Sequence, residues 1–413
     1  MTRLLPRLAG LSAVFLMAST VALAAPPANE GGAFATGRTH NLFAEHLGKT
    51  NTEVQTKIEA AWQQIFYGND ATERIYYPVA GGMAYMADIN NRDARSEGMS
   101  YGMMLAVQLN KKAEFDALWR WAKQYMFHPT GRFAGYFAWH CRYDGTQIDP
   151  GPASDGEEWF VMALFFAAHR WGNGDGIFNY AAEAQSLLHT MLHKNEGGDD
   201  SVTPMFDRKE KQIVFVPQSQ GSHFTDPSYH LPAFYELWSR WAADPADRAF
   251  LAEAAQTSRQ LFRRAAHAQT GLMPDYAHFT GQPYAQYGHE DFRFDAWRTI
   301  ANVAIDYAWF GRDPWQIEQT KRVLAFIAQQ GPYSPNQFTV EGKPLSTDSS
   351  PGLFAMAAVG ALAADTPEAK LFVQRLWDMP IPSGQHRYYD GLLYYLALLQ
   401  VSGRFQIHSP PAK

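Results

Sequence analysis

The chain has one cysteine, Cys141, in 413 residues, so no intrachain disulfide can form and the core alone must hold the fold. It has no run of basic residues, and its formal net charge is -6. Nucleic acid is therefore not an expected partner, because phosphate recognition needs clustered cations. Beyond Ala25 no apolar run is long enough to cross a bilayer. Strand patterns are scarce too, and only Gln212-Ile213-Val214-Phe215-Val216 reads as one. No repeat, linker or composition break divides the chain.

What is present starts with a targeting segment. Arg3 and Arg7 supply a positive start, Leu11 to Leu23 is apolar, and Ala22-Leu23-Ala24 fits a signal-peptidase site. Residues 1–25 are thus expected to be removed at Ala24/Ala25, with the mature protein exported to the periplasm or the medium and held by no membrane. Residues 26–50 are expected to be flexible, 51–405 to form one domain, and 406–413 to be a tail. A monomer is expected.

Twelve helical segments follow, near 52–66, 96–109, 111–126, 155–170, 177–193, 227–241, 245–266, 293–309, 313–329, 350–363, 366–376 and 387–401. In the first, Ile58, Ala61, Trp62 and Ile65 share one face while Lys57 and Glu59 lie off it. Short breaks such as Ala243-Asp244-Pro245 join the helices in pairs. The even-numbered ones are apolar all round, as buried helices must be, and the odd-numbered ones carry a polar face. This alternation predicts an all-α fold, an (α/α)6 barrel of six inner and six outer helices.

The stretch Ala94-Arg95-Ser96-Glu97-Gly98-Met99-Ser100-Tyr101-Gly102 sets an acid at the mouth of an apolar helix, with Ser96 as the expected N-cap. The helix dipole lowers the pKa of such a carboxyl by less than about 1 kcal/mol, whereas burial can raise it by several units. Asp155, Asp226 and Asp295 open the next three even-numbered helices. Capping explains each acid singly: Ser154 and Glu157 form a capping-box pattern, Asp226-Pro227 is an N-cap with Pro behind it, and Asp295 can pair with Arg298. Recurrence on alternate helices predicts instead that the four ring one mouth. Two carboxylates across a cleft suit glycoside hydrolysis, one protonating the leaving oxygen and the other attacking or activating water. Tyr136, Trp139, Tyr284, Tyr287, Tyr388 and Tyr389 are expected to offer aromatic faces to sugar rings.

On Ala94 to Gly102, Ser154-Asp155-Gly156-Glu157 and Phe294-Asp295-Ala296-Trp297-Arg298, the chain resembles glycoside hydrolase family 8, inverting enzymes on an (α/α)6 barrel. The resemblance runs from about Asn51 to Phe405. It implies Glu97 as general acid, Asp295 as general base, Asp155 as a ligand of the central sugar, Tyr229 as holder of the attacking water and Arg298 as the group orienting Asp295. Trp139, Asp226, Phe294 and Tyr388 are the candidate substrate contacts. No cofactor or metal is implied. The blocks Thr225 to Trp238 and Arg387 to Tyr395 resemble the branch acting on xylan and xylo-oligosaccharides. Within that branch, exo-enzymes releasing reducing-end xylose have a loop with a His-Pro step closing one end of the cleft. The corresponding Lys343 to Gly352 has no His, which favours endo action. The alternatives are that exo activity, a β-1,4-glucanase of the same family, and a non-catalytic sugar-binding barrel. The last is disfavoured because both Glu97 and Asp295 are present.

Four other features carry less. His189 and His193 stand one helical turn apart but lack the Glu of a zinc-protease motif, and read as a surface pair. Asn173-Gly174-Asp175-Gly176 reads as a turn rather than a calcium loop. His289-Glu290-Asp291 is placed at the cleft rim without a metal, and Cys141 has no evident base to make it a nucleophile.

Overall fold

The computed structural model describes Met1 and residues 31–195 and 201–411, so the expected signal-peptide cut at Ala24/Ala25 lies outside the described residues. Two short helices come first, α1 (Gly32–Thr36) and α2 (Leu42–Leu47). Outer and inner helices then alternate: α3 (Asn51–Tyr67), α4 (Ser96–Gln108), α5 (Lys112–Trp121), α6 (Ser154–Trp171), α7 (Tyr180–His193), α8 (Pro232–Trp241), α9 (Pro245–Ala265), α10 (Arg298–Phe310), α11 (Trp315–Gln329), α12 (Pro351–Gly360), α13 (Pro367–Asp378) and α14 (Arg387–Val401). The chain is an (α/α)6 barrel, with α4 and the even-numbered helices after it as its inner ring.

Burial separates the rings as hydropathy requires. In α3, Val54, Ile58, Ala61, Trp62, Ile65 and Phe66 are buried on one face, and a reciprocal Thr50–Glu53 capping box starts the helix. In α12 every residue from Gly352 to Gly360 is buried, and in α6 so is every residue from Ser154 to Ala167. Glycine lets the inner helices approach: a Cβ on Gly156 would lie 2.4 Å from Ser96 Oγ. Ser96 is therefore the first residue of α4, wedged against α6, and Arg95 takes the N-cap position without a side-chain bond. Ala153, not Ser154, precedes α6, and Glu157 accepts from the Phe137 N–H at 3.0 Å instead of closing a capping box.

Several boundaries differ from expectation for local reasons. Pro232 cannot continue a helix from Asp226, so Pro227–Tyr229 forms a separate 3-10 turn before α8. Phe294–Trp297 is likewise a 3-10 turn leading into α10, and α5 passes into a π-helical turn at Ala122–Met126. The one expected strand pairs only over Gln212–Ile213, while short hairpins went unread because two to four residues show no period: Tyr76–Val79 with Met83–Met86, and Ala94–Arg95 with His140–Cys141 and Gln147–Asp149.

Residues 31–50, expected to be flexible, are folded. Phe34 stacks on Phe310, Phe43 packs edge-on to Trp377, and Thr39 Oγ1 donates to Gly403 O at 2.9 Å. The expected tail is docked as well: Gln406 exchanges two hydrogen bonds with Gln108, and His169 Nδ1 bonds His408 O at 2.8 Å. Apolar side chains at these positions seal the barrel where the inner helices end.

A buried ion network ties outer to inner ring. Arg259 on α9 donates two 2.7 Å bonds to Asp306 on α10 and one of 2.9 Å to Glu236 on α8. Removing the cation leaves buried Asp306 with the Gln316 amide but no cation, while Glu236 keeps Arg240. Arg259→Ala should therefore cost about 3–5 kcal/mol in urea unfolding, far above the cost of an exposed Arg substitution.

Candidate active site

The cleft lies where the inner helices begin. About 860 Å³ in volume, it is lined by Glu97 of α4, Asp155 of α6, Tyr229 before α8, Asp295 before α10, Ser350 before α12 and Tyr388 to Asp390 of α14. Parallel inner helices bring all six N-termini to one face, so three of the four acids read from the sequence, Glu97, Asp155 and Asp295, line one mouth as expected, while Asp226 lies behind its wall.

Arg298 is their common partner. Its side chain is 5% exposed, with Nη1 2.9 Å from Glu97 Oε2 and 3.2 Å from Asp155 Oδ2, and Nη2 3.1 Å from Asp295 Oδ2. Nη1 also donates to Tyr101 Oη at 2.7 Å and Nη2 to Ser228 Oγ at 2.9 Å, and the guanidinium lies 5.5 Å from the centre of the Tyr229 ring. Beyond Asp295, which it is expected to orient, Arg298 also contacts Glu97 and Asp155. One cation, itself costly to bury, holds both ends of the carboxylate pair and is kept charged mainly by Asp295.

Burial dominates the electrostatics of Glu97, pushing its pKa up to about 8; Asp295 and Asp155 add to the rise, while Arg298 restrains it. The helix dipole does not offset this. Asp155 is also raised by burial, against the pull of Arg298. Tyr388 Oη donates to Glu97 Oε1 at 3.3 Å, and Gly98 makes that approach possible, since a Cβ there would lie 2.4 Å from the same hydroxyl. Tyr389 Oη donates to Asp295 Oδ1 at 3.2 Å. Phe294, 45% exposed and lining the cleft, holds φ +35°, a strained backbone for a residue with a side chain, immediately before Asp295.

Four expected sugar contacts do not line the cleft, two of them being Tyr284, stacked on Phe224, and Tyr287 beside it. Asp226 is fully buried behind the cleft wall, where Oδ1 accepts from the Ser228 N–H at 2.7 Å and fixes the turn carrying Tyr229. Tyr136 is core, its hydroxyl donating to Thr190 O and Thr203 O. Trp139, Phe294 and Tyr388 do line the cleft. Asp275 sits in an irregular loop and carries no signal in the sequence. Its Oδ2 bonds His289 Nδ1 at 2.6 Å, and His289 lines the cleft as expected.

Carboxylate oxygens of Asp226, Asp275 and Asp295 lie within 4.8 Å of one another, the one cluster at the cleft that could hold a metal among the described residues. Burial first, then repulsion from Asp275 and Asp295, pushes Asp226 above the usual carboxyl range, and burial with repulsion from Asp295 does the same to Asp275. Asp295 already has Arg298 and Tyr389 as partners.

Comparison with known proteins agrees with this architecture. Residues 76–403 match the family described as glycosyl hydrolases family 8. The chain is 46% identical over 382 residues to the reducing-end xylose-releasing exo-oligoxylanase Rex8A of Paenibacillus barcinonensis, spanning 91% of this chain and 98% of that protein. The structure of Rex8A with xylose superimposes with a TM-score of 0.88 at 45% identity, over 92% of this chain and 100% of that one. A catalytic mutant of a Teredinibacter turnerae family 8 xylanase, in complex with xylohexaose, gives a TM-score of 0.88 at 46% identity over 92% and 100% of the two chains. Endoglucanase A of Acetivibrio thermocellus is more distant, at 28% identity over 87% of this chain and 72% of that protein. The match along most of the chain, on a barrel whose inner helix mouths gather Glu97, Asp155 and Asp295 around one arginine, identifies this glycoside hydrolase as a member of family 8.

Proposed function

We propose that the protein hydrolyses β-1,4-xylosidic bonds with inversion and releases xylose from the reducing end of xylo-oligosaccharides. The observation carrying the chemistry is the single guanidinium of Arg298 between Glu97 and Asp295. Glu97, protonated at neutral pH, gives its proton to the glycosidic oxygen as the bond breaks. Asp295, bonded by Arg298 and Tyr389, takes a proton from a water that attacks the anomeric carbon on the opposite face. The new C–O bond then lies on the face opposite the lost one, so a β-linkage yields an α-anomer. Arg298 has a second part to play, stabilising the Glu97 carboxylate once its proton has gone. Tyr229, fixed by the Asp226-capped turn, is placed to hold the water, Asp155 binds the central sugar, and Trp139 stacks on a neighbouring ring.

Xylan chemistry rather than glucan is supported by identities of 46% to an exo-oligoxylanase against 28% to an endoglucanase. The same relative favours exo over the endo action expected from the sequence. One observation keeps endo as the second reading: Asp348, Ser349 and Ser350 line the cleft in the segment where the exo loop carries histidine.

Glu97→Gln and Asp295→Ala should each lower kcat on xylohexaose by about 10²–10⁴-fold or more while calorimetry still detects oligosaccharide binding; near-normal turnover by either would remove that residue from its role. In the unaltered enzyme, kcat/KM should fall about tenfold per pH unit above roughly pH 8, as the cluster containing Glu97 loses its proton. An alkaline limb in the ordinary carboxyl range would exclude Glu97 as the acid. Early-time proton NMR of xylohexaose digests decides the rest. Free xylose with xylopentaose supports exo action, internal fragments support endo action, and β-anomeric new ends would contradict inversion.

A further inference from the structure

The His189–His193 pair, which reads in the sequence as a surface pair lacking the Glu of a zinc-protease motif, gains a candidate third ligand from the fold. Asp247, 54 residues from His193 in the chain, opens α9 beside the last turn of α7, and its Oδ1 lies 2.6 Å from His193 Nε2. The two imidazoles stack with centroids 4.5 Å apart and planes 25° apart. One nitrogen from each histidine and one oxygen from Asp247 all fall within 4.8 Å of one another. We propose that His189, His193 and Asp247 form a binding site for a borderline divalent cation such as Zn²⁺, away from the cleft, that clasps the end of α7 to the start of α9.

Three features favour this over a plain ion pair. A His193–Asp247 pair at opposite helix ends accounts for those two residues but leaves the placement of His189 unused. Tetrahedral Zn²⁺ with bonds of about 2.0–2.1 Å needs ligand atoms about 3.4 Å apart. Exposed His189 can approach by side-chain rotation, and the 2.6 Å His193–Asp247 pair has to open by under about 1 Å to admit the ion, with buried Asp247 as the anchor. Neighbouring cations are also turned away: Lys194 Nζ donates to Ala134 O at 2.7 Å, and Arg248 Nη1 to Ala242 O at 2.7 Å. Two imidazoles and one carboxylate suit Zn²⁺, Ni²⁺ or Cu²⁺ and not Mg²⁺ or Ca²⁺, which prefer all-oxygen sites.

The test is calorimetric titration of the tag-free full chain with ZnCl₂ at neutral pH, beside MgCl₂. One equivalent of Zn²⁺ should bind in the micromolar range, with no heat from Mg²⁺. His189→Ala, an exposed change that leaves the core intact, should weaken binding at least about tenfold, and Asp247→Asn should do so too. Both variants should keep the activity of the parent on xylohexaose. Substituted Co²⁺ should show tetrahedral visible bands that His189→Ala abolishes. Absence of Zn²⁺ binding, or binding unchanged in His189→Ala, would overturn the site. So would binding lost only in Asp226→Asn, which would assign the ion to the acids behind the cleft.

Discussion

Everything at the cleft depends on burying one positive charge. Four acids at the mouths of adjacent inner helices would repel one another, and six converging helix N-termini ease that only slightly, at about 0.3–1 kcal/mol for each nearby charge. Arg298 makes the arrangement tenable by bonding Glu97, Asp155 and Asp295 at once. Burial, not the guanidinium, gives Glu97 its high proton affinity, and Arg298 restrains that rise while also bonding the more exposed Asp295.

The surrounding architecture serves that constraint. Tyr101 and Ser228 occupy hydrogen-bonding directions of the guanidinium not taken by carboxylates, and both are buried. Close approaches at Gly98 and Gly156 let Tyr388 and the N-terminal end of α6 reach the same small volume. The barrel repeats a similar device away from the cleft, where Arg259 joins α8, α9 and α10 through Glu236 and Asp306. There the network carries no open cleft, and its consequence is for folding alone.

Much of this was legible in the sequence, and the limits have physical causes. The alternation of all-apolar and amphipathic helices is a one-dimensional signal for two rings, because it reports how many faces each helix buries. Acids at the starts of alternate helices were readable for the same reason: position along a parallel helix translates directly into position at a common mouth. Asp275 was not readable, since it sits in an irregular loop and meets His289 only through the fold. Asp226 illustrates a different failure. Its capping and site readings looked like rivals, yet it caps the turn that presents Tyr229, so the local role is how it serves the site. The N-terminal stretch misled because its short helices lack a long amphipathic period and are stabilised by distant rings such as Phe310 and Trp377.

The bond from Thr39 to Gly403 has a geometric consequence for how the molecule can be held. It brings the two ends of the folded body together at the pole opposite the cleft, so the chain path is nearly a closed loop with both leads leaving from one side. A tether or an appended module at either lead would thus hang from that pole, leaving the cleft at the other pole unobstructed.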